Sequence, residues 1–421
     1  MHPKFDRIEA PAVTLPQHIA YIQPERYETQ AGVPLYVMRN AHSEAVKFDL
    51  VFDAGSKYDE KPIAGLTTGM LLAGTEDKTL AEINDLVDDF GGYFNSSVSA
   101  DHVYLSIYGL NECMTSLIEL LEHVMHDAAF PEHELLRMKG ERKEQLKINL
   151  EKVSTLAQRE FQKQLFAGTP YGRMNEPEDF DSITRDQLMA FHQQHIRGGL
   201  RKINWVGNPT EQDIAYILKI FSRWGRLHKE RETATFHASS GDFKVEKTDA
   251  VQTGIRMGKL LFNRSHPDYH KMTVVNTLLG EYFGSRLMSN LREDKGYTYG
   301  IGSYLGENQS DGYFVIATEV GKAFLADALV QIKHELERLR KEQVPQEELD
   351  LVRNYLLGQF LRGADGPFAM MELFSVAELK GLDFGFYKIA LETLLKITQE
   401  EIQETAYQHL NPEEMIVVTA G

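Results

Sequence analysis

Apolar and polar residues alternate in HVYLSIYGL, residues 102–110, and again in GYFVIATEV, residues 312–320, a two-residue period that predicts half-buried strands. Each run passes into a helical period, from Glu112 to about His126 after the first and from about Ala323 to Arg340 after the second. FPEHELLRMKGERKEQLKINLEKV and VPQEELDLVRNYLLGQFL then open further helices at Pro131 and Pro345, where proline is tolerated and the acidic residues behind it suit the helix dipole. The strand starts lie 210 residues apart and the prolines 214, so one order of elements is used twice and the chain reads as duplicated domains. Helical runs also precede the strands in both halves, at TLAEINDLVDDFGG (79–92) and HKMTVVNTLLGEYFGSRLMSNLRED (270–294). YTYGIGSYLG and DGYFVIATEV read as a hairpin. Antiparallel pairing without a β-α-β rhythm predicts an α+β fold, with a largely antiparallel mixed sheet packed against helices in each half.

RWGRLHKERETATFHASSGD, residues 223–242, breaks this pattern with charge and then Thr, Ser and Gly, and reads as a linker between domains at 1–222 and 243–421. A chain of 421 residues, 42% hydrophobic, is long enough for two cores. Its net charge of -17 opposes binding by phosphate neutralisation, so nucleic acid is not expected as a partner. Solubility explains the acidic balance; a chamber of the same sign would favour basic peptides. Cys113 stands alone, which excludes an intrachain disulfide and a thiolate zinc cluster, and in NECMTSLIELLEHVM it reads as a small buried residue. MHPKFDRIEAPAV lacks a basic region followed by an apolar core, and no apolar stretch nears the ~18 residues of a membrane span. A cytoplasmic, non-membrane location is the expectation, although a chain trimmed of a signal peptide would read the same.

KPIAGLTTGMLLAGT, residues 61–75, resembles the first active-site helix of the pitrilysin/insulinase/mitochondrial-processing-peptidase family of zinc metallopeptidases, which carries H-x-x-E-H ahead of a Met and a Gly-Thr. Anchored on Met70 and Gly74-Thr75, the resemblance puts Gly65, Thr68 and Gly69 at the positions of the two histidines and the glutamate between them. In that motif two imidazoles one turn apart hold zinc and the glutamate activates its water. Glycine has no donor atom, and a threonine hydroxyl is no general base at neutral pH. The family's third ligand, a glutamate on a later helix, falls in GERKEQLKIN: alignment on Glu141-Arg142 puts Ile148 there, and a shift of one turn puts Glu144 there. Glu141 and Glu144 also read simply as a solvated face with Lys143 and Lys147. His123/His126 and His192/His195 are spaced three apart without a glutamate placed as a base, and His133-Glu134 and His334-Glu335 begin an H-E-x-x-H motif that neither completes. All read as ordinary histidines.

The family's second-half signature survives better. SRLMSNLREDKGYTYGIGSYL, residues 285–305, is similar to its Arg on a helix end followed seven residues later by a Tyr on the next strand, here Arg292 and Tyr299. The resemblance implies that this pair binds substrate near the zinc of another half; both side chains can donate to a carbonyl oxygen that gains charge. An Arg paired with Glu293 or Asp294 and a Tyr on a strand face is the plain alternative, and Tyr297 shares the two-residue period with Tyr299. GGYFNSSVSADHVYLSI, residues 91–107, resembles the family's substrate-pairing edge strand, with Asn95-Ser96 at its Asn-small pair. AGTPYGRMNEPEDFDSITRDQLMAFHQQHI, 167–196, matches as structure, a turn and then a capped helix. What the resemblance implies is two homologous α/β-roll domains closed around a peptide-sized chamber. It also implies a chain without zinc or another cofactor of its own, dimeric with an H-x-x-E-H relative that holds the zinc, or with itself, and binding peptide or unfolded polypeptide. The rival expectation is a peptide-binding or scaffolding homodimer outside proteolysis.

Overall fold

The structure, a computed structural model, describes residues 16, 18–225, 236, 238 and 240–421. The first half runs β1 (Glu25–Glu28), β2 (Pro34–Arg39), β3 (Ala45–Phe52), α1 (Ile63–Met70), α2 (Leu80–Asp89), β4 (Tyr93–Val98), β5 (Val103–Leu110), α3 (Asn111–His126), α4 (Glu132–Leu150), α5 (Val153–Leu165), α6 (Arg185–Phe191), β6 (Leu200–Gly207) and α7 (Glu211–Ile220). The second runs β7 (Gly241–Val245), β8 (Gln252–Leu261), α8 (Tyr269–Asn276), β9 (Ile301–Glu307), β10 (Gly312–Gly321), α9 (Leu325–Lys341), α10 (Gln346–Gly363), α11 (Gly366–Leu379), α12 (Phe384–Lys396), α13 (Gln399–His409) and β11 (Ile416–Ala420). In space the strands lie in the orders β1-β2-β6-β3-β5-β4 and β7-β11-β8-β10-β9. Without β1 the two sheets are the same strand for strand, each with one parallel pair, β2–β6 and β7–β11, among antiparallel neighbours. The duplicated α+β fold expected from the sequence is therefore the one observed.

Local chemistry explains the repeat. Pro131 and Pro345 are the N-cap residues of α4 and α10, with Glu132 and Glu134 or Glu347 and Glu348 in the first turn. Thr184 and Thr398, again 214 residues apart, cap α6 and α13 through capping boxes that satisfy two backbone N–H groups at once. Between Tyr269 and Asp294 the chain is not one helix. A π-helical turn, Thr277–Glu281, follows α8, and a second, Met288–Asp294, begins after a break. A Cβ at Gly280 would sit 2.6 Å from the Ser303 amide, so this glycine lets the helix lie against β9.

Each half has its own apolar core, from Val33 to Trp224 in the first and largely from Ile255 to Val417 in the second. The outer faces of the sheets are covered reciprocally. Ala157, Phe161 and Leu165 of α5 pack on Ile416, Val418 and Val315 of the second sheet. Met370, Met371 and Phe374 of α11 pack on Tyr36, Met38 and Val206 of the first. Most of the expected linker, residues 226–235, 237 and 239, lies outside the described residues. On either side of those residues, Trp224 is buried in the first core and Gly241 opens β7.

Candidate functional site

Gly65 and Gly69 stand one turn apart on α1 and share its half-buried side, whereas Thr68 is buried and its hydroxyl has no hydrogen-bond partner. A Cβ on Gly65 would meet nothing within 4 Å; one on Gly69 would stand 3.0 Å from Met138 Sδ and 3.9 Å from Arg142 Nη2. The side of α4 that meets α1 thus carries Met138 and Arg142. Gln145, seven residues and about two turns beyond Met138, continues that stripe, while Ile148, ten residues beyond, falls roughly 80° around the helix. Ile148 is 56% exposed. Glu144 is bound to Lys147 at 2.6 Å, and Glu141 to Arg137 at 2.7 Å. Gln145 is exposed and its amide donates to Asn149 on the same helix at 3.4 Å.

These residues do not fit a zinc ion. Two glycines and a buried threonine supply no donors, and the Arg142 guanidinium, which has no hydrogen bond or ion pair among the described residues, brings a positive charge beside the place a dication would need. No group of three His, Cys, Asp or Glu side chains able to hold a metal converges among the described residues. His192 donates from Nε2 to the Met125 carbonyl at 2.8 Å and is held down near pKa 4 by burial; His195 stacks between Tyr58 and Phe191. His123 and His126 both lean on Asp127. Cys113 is half-buried against the first core.

The second-half pair is presented differently. Arg292 lies in the π-helical turn with its guanidinium 4.5 Å over the Phe283 ring, and neither Glu293 nor Asp294 forms an ion pair with it. Tyr299 does not lie on a strand: Gly296 adopts φ 65°, Thr298 bonds through its hydroxyl to both backbone groups of Gly300, and β9 begins only at Ile301. That turn separates the two phenols. Tyr297 donates to Asp327 at 2.8 Å and stacks on Phe324, while Tyr299 is 93% exposed. Tyr299 borders a 320 Å³ depression with Thr298, Thr318 and Arg256, and Arg256 reaches Gln158 and the Ser154 carbonyl of α5. No described contact joins Arg292 or Tyr299 to α1. Asn95 is exposed on β4, which pairs only with β5 and leaves its other edge open beside α1.

A duplicated α+β chain whose α1 offers no metal donors at Gly65, Thr68 and Gly69, beside the free edge of β4, has a metallopeptidase-like fold without a metal motif on that helix. A family model described as Insulinase (Peptidase family M16) matches residues 35–176, and one described as Peptidase M16 inactive domain matches 182–356. The chain belongs to the M16 peptidase family. It is 22% identical over 344 residues to an uncharacterized zinc protease of Bacillus subtilis, covering 80% of this chain and 83% of that protein. It is 21% identical over 369 residues to one of Mycobacterium leprae, covering 85% and 82%. A crystal structure described as a peptidase M16 inactive domain from Pseudomonas fluorescens superposes with TM-score 0.86 at 23% identity, covering 94% of this chain and 98% of that one. A protease from Helicobacter pylori gives 0.82 at 17%, covering 95% and 100%. Both share the fold. No helix among the described residues is long and apolar enough to cross a membrane.

Proposed function

We propose that this chain is a zinc-free subunit that lends Arg292 and Tyr299 to the zinc site of an H-x-x-E-H relative and holds peptide along β4. The observation that carries the reading is the presentation of that pair: a guanidinium without a carboxylate among the described residues and a phenol 93% exposed. Arg292 packs its guanidinium face on Phe283 but keeps its N–H groups unspent among the described residues, and both side chains suit a carbonyl oxygen that becomes negative in a tetrahedral transition state. The open edge of β4 would pair with the backbone of an extended peptide, Asn95 lying beside it, with little demand on side chains. Gly65, Thr68 and Gly69, with Arg142 opposite, leave the water-activating step to the partner.

The test measures zinc content and peptide cleavage for the purified chain alone and mixed with an H-x-x-E-H relative. The chain alone is expected to carry no stoichiometric zinc and to cleave nothing; bound zinc or chelator-sensitive cleavage by it alone would sink the reading. In the mixture, Arg292→Ala and Tyr299→Phe are each expected to lower kcat on the order of 10²-fold, the scale of losing one oxyanion donor, without dissociating the complex. Unchanged activity in both variants favours instead a scaffolding homodimer with no part in proteolysis.

A further inference from the structure

The duplication relates α1 to α8 and α4 to α10, and a cavity lies between α8 and α10 in the second half. The 214-residue offset of the capping prolines carries Gln145 to Gln359 and Ile148 to Arg362 on α10. Both line a 650 Å³ cavity between α8, α10, α11 and α12, where His270, Thr273 and Val274 of α8 form another wall. Its walls are apolar: Leu356, Phe360, Leu373, Phe386 and Leu394 join Val274. A volume of this size lies within the range of small-molecule sites.

The polar groups around the cavity are few and unequal. Arg264 is committed to Glu307, and Glu372 to Lys47 at 3.1 Å. Thr273 donates to the Tyr269 carbonyl at 3.0 Å. The side chains of His270, Gln359 and Arg362 make no hydrogen bond or ion pair among the described residues, and burial holds His270 neutral at pH 7. One uncommitted cation therefore stands at an apolar cavity, beside an amide and an imidazole with hydrogen bonds to give. We propose that this cavity binds an amphipathic carboxylate, an alkyl chain among the apolar walls with its head group on Arg362 and Gln359. A carboxylate matches the guanidinium fork in two parallel hydrogen bonds. A peptide fits less well, because the walls are helices whose backbone groups are already paired and a buried peptide amide would find no partner. This site is independent of the shared zinc-site reading and does not use Arg292 or Tyr299.

Dodecanoate, kept below its micelle concentration, is the probe, titrated calorimetrically into the full chain. Saturable one-to-one binding is expected, weakened about tenfold or more in Arg362→Gln, which removes a charge-assisted hydrogen bond. Val376→Trp, at a position 44% exposed on the cavity wall, is expected to block the cavity while thermal unfolding stays unchanged, a check also made on Arg362→Gln. Absence of saturable binding by the unaltered chain would overturn the site, as would binding indifferent to both substitutions. Dodecanol binding as tightly as dodecanoate would overturn the role of Arg362, and trileucine binding more tightly would overturn the alkyl ligand in favour of a peptide.

Discussion

Asp59, in the loop before α1, has a buried Oδ2 without a partner, and burial pushes its carboxyl up from 3.8 to about 6, with Arg173 opposing. Because the folded value lies above the unfolded one, ionising this group costs stability as pH rises through that interval, and the full cost is present above pH 6. Asp59→Asn should then stabilise the chain at pH 7.5 by about 1 kcal/mol, less than the roughly 3 of the whole shift because the group is partly solvated. At pH 4.5 the gain should shrink by more than half; urea unfolding at the two pH values checks this, and an equal gain at both would refute it. At this scale the lack of metal donors at Gly65, Thr68 and Gly69 was legible, since it is a matter of side-chain chemistry without geometry. The separation of Tyr297 from Tyr299 was not, because it depends on a left-handed Gly296 and on Asp327 and Phe324 thirty residues or so downstream.

Among the elements, α1 is the oddest: eight residues with two glycines, each costing up to about 1 kcal/mol relative to alanine in a helix. Gly65 needs neither a positive φ nor a close approach, since nothing lies within 4 Å of its would-be Cβ. Gly65→Ala should therefore raise stability by about 0.5–1 kcal/mol, read as a higher urea midpoint with unchanged slope. A drop would mean that the open side of α1 is occupied in the folded protein. Strands β5 and β10 and helices α3, α9 and α10 were readable because their periods are long and, for α10, because Pro345 marks its start. The run from Tyr269 to Asp294 was not, since the backbone turns extended at Tyr282 beside the close contact of Gly280 with β9, a partner that local periodicity does not report.

Across the whole molecule the two halves are joined by exchanged helices, and Lys202 shows how firmly. It lies fully buried on β6 and donates to the Ser375 carbonyl at 2.6 Å and to Glu378 at 2.9 Å, both on α11. Burial lowers its pKa to about 8, while Glu378 acts to keep it charged. Lys202→Met should cost about 3 kcal/mol by leaving the half-buried Glu378 carboxylate without its cation, and adding Glu378→Leu should recover more than half of that. Equilibrium unfolding of the single and double variants decides it; a mild single variant would show that this contact does not hold the halves together. A second tie has the same character, with Asp101 of the first half accepting from Lys57, Tyr171 and the Gln309 amide of the second.

The sequence by itself determined the duplication, the α+β class and the absence of zinc ligands on α1, because period, caps and donor atoms are local properties that each residue carries with it. Only the tertiary structure decided that α5 and α11 cross to the opposite sheets, that Arg142 faces Gly69, and that α8, α10, α11 and α12 enclose a cavity in the second half. Those facts arise from residues far apart in the chain meeting across packed faces, and an apolar stripe records that it must be buried without recording against what.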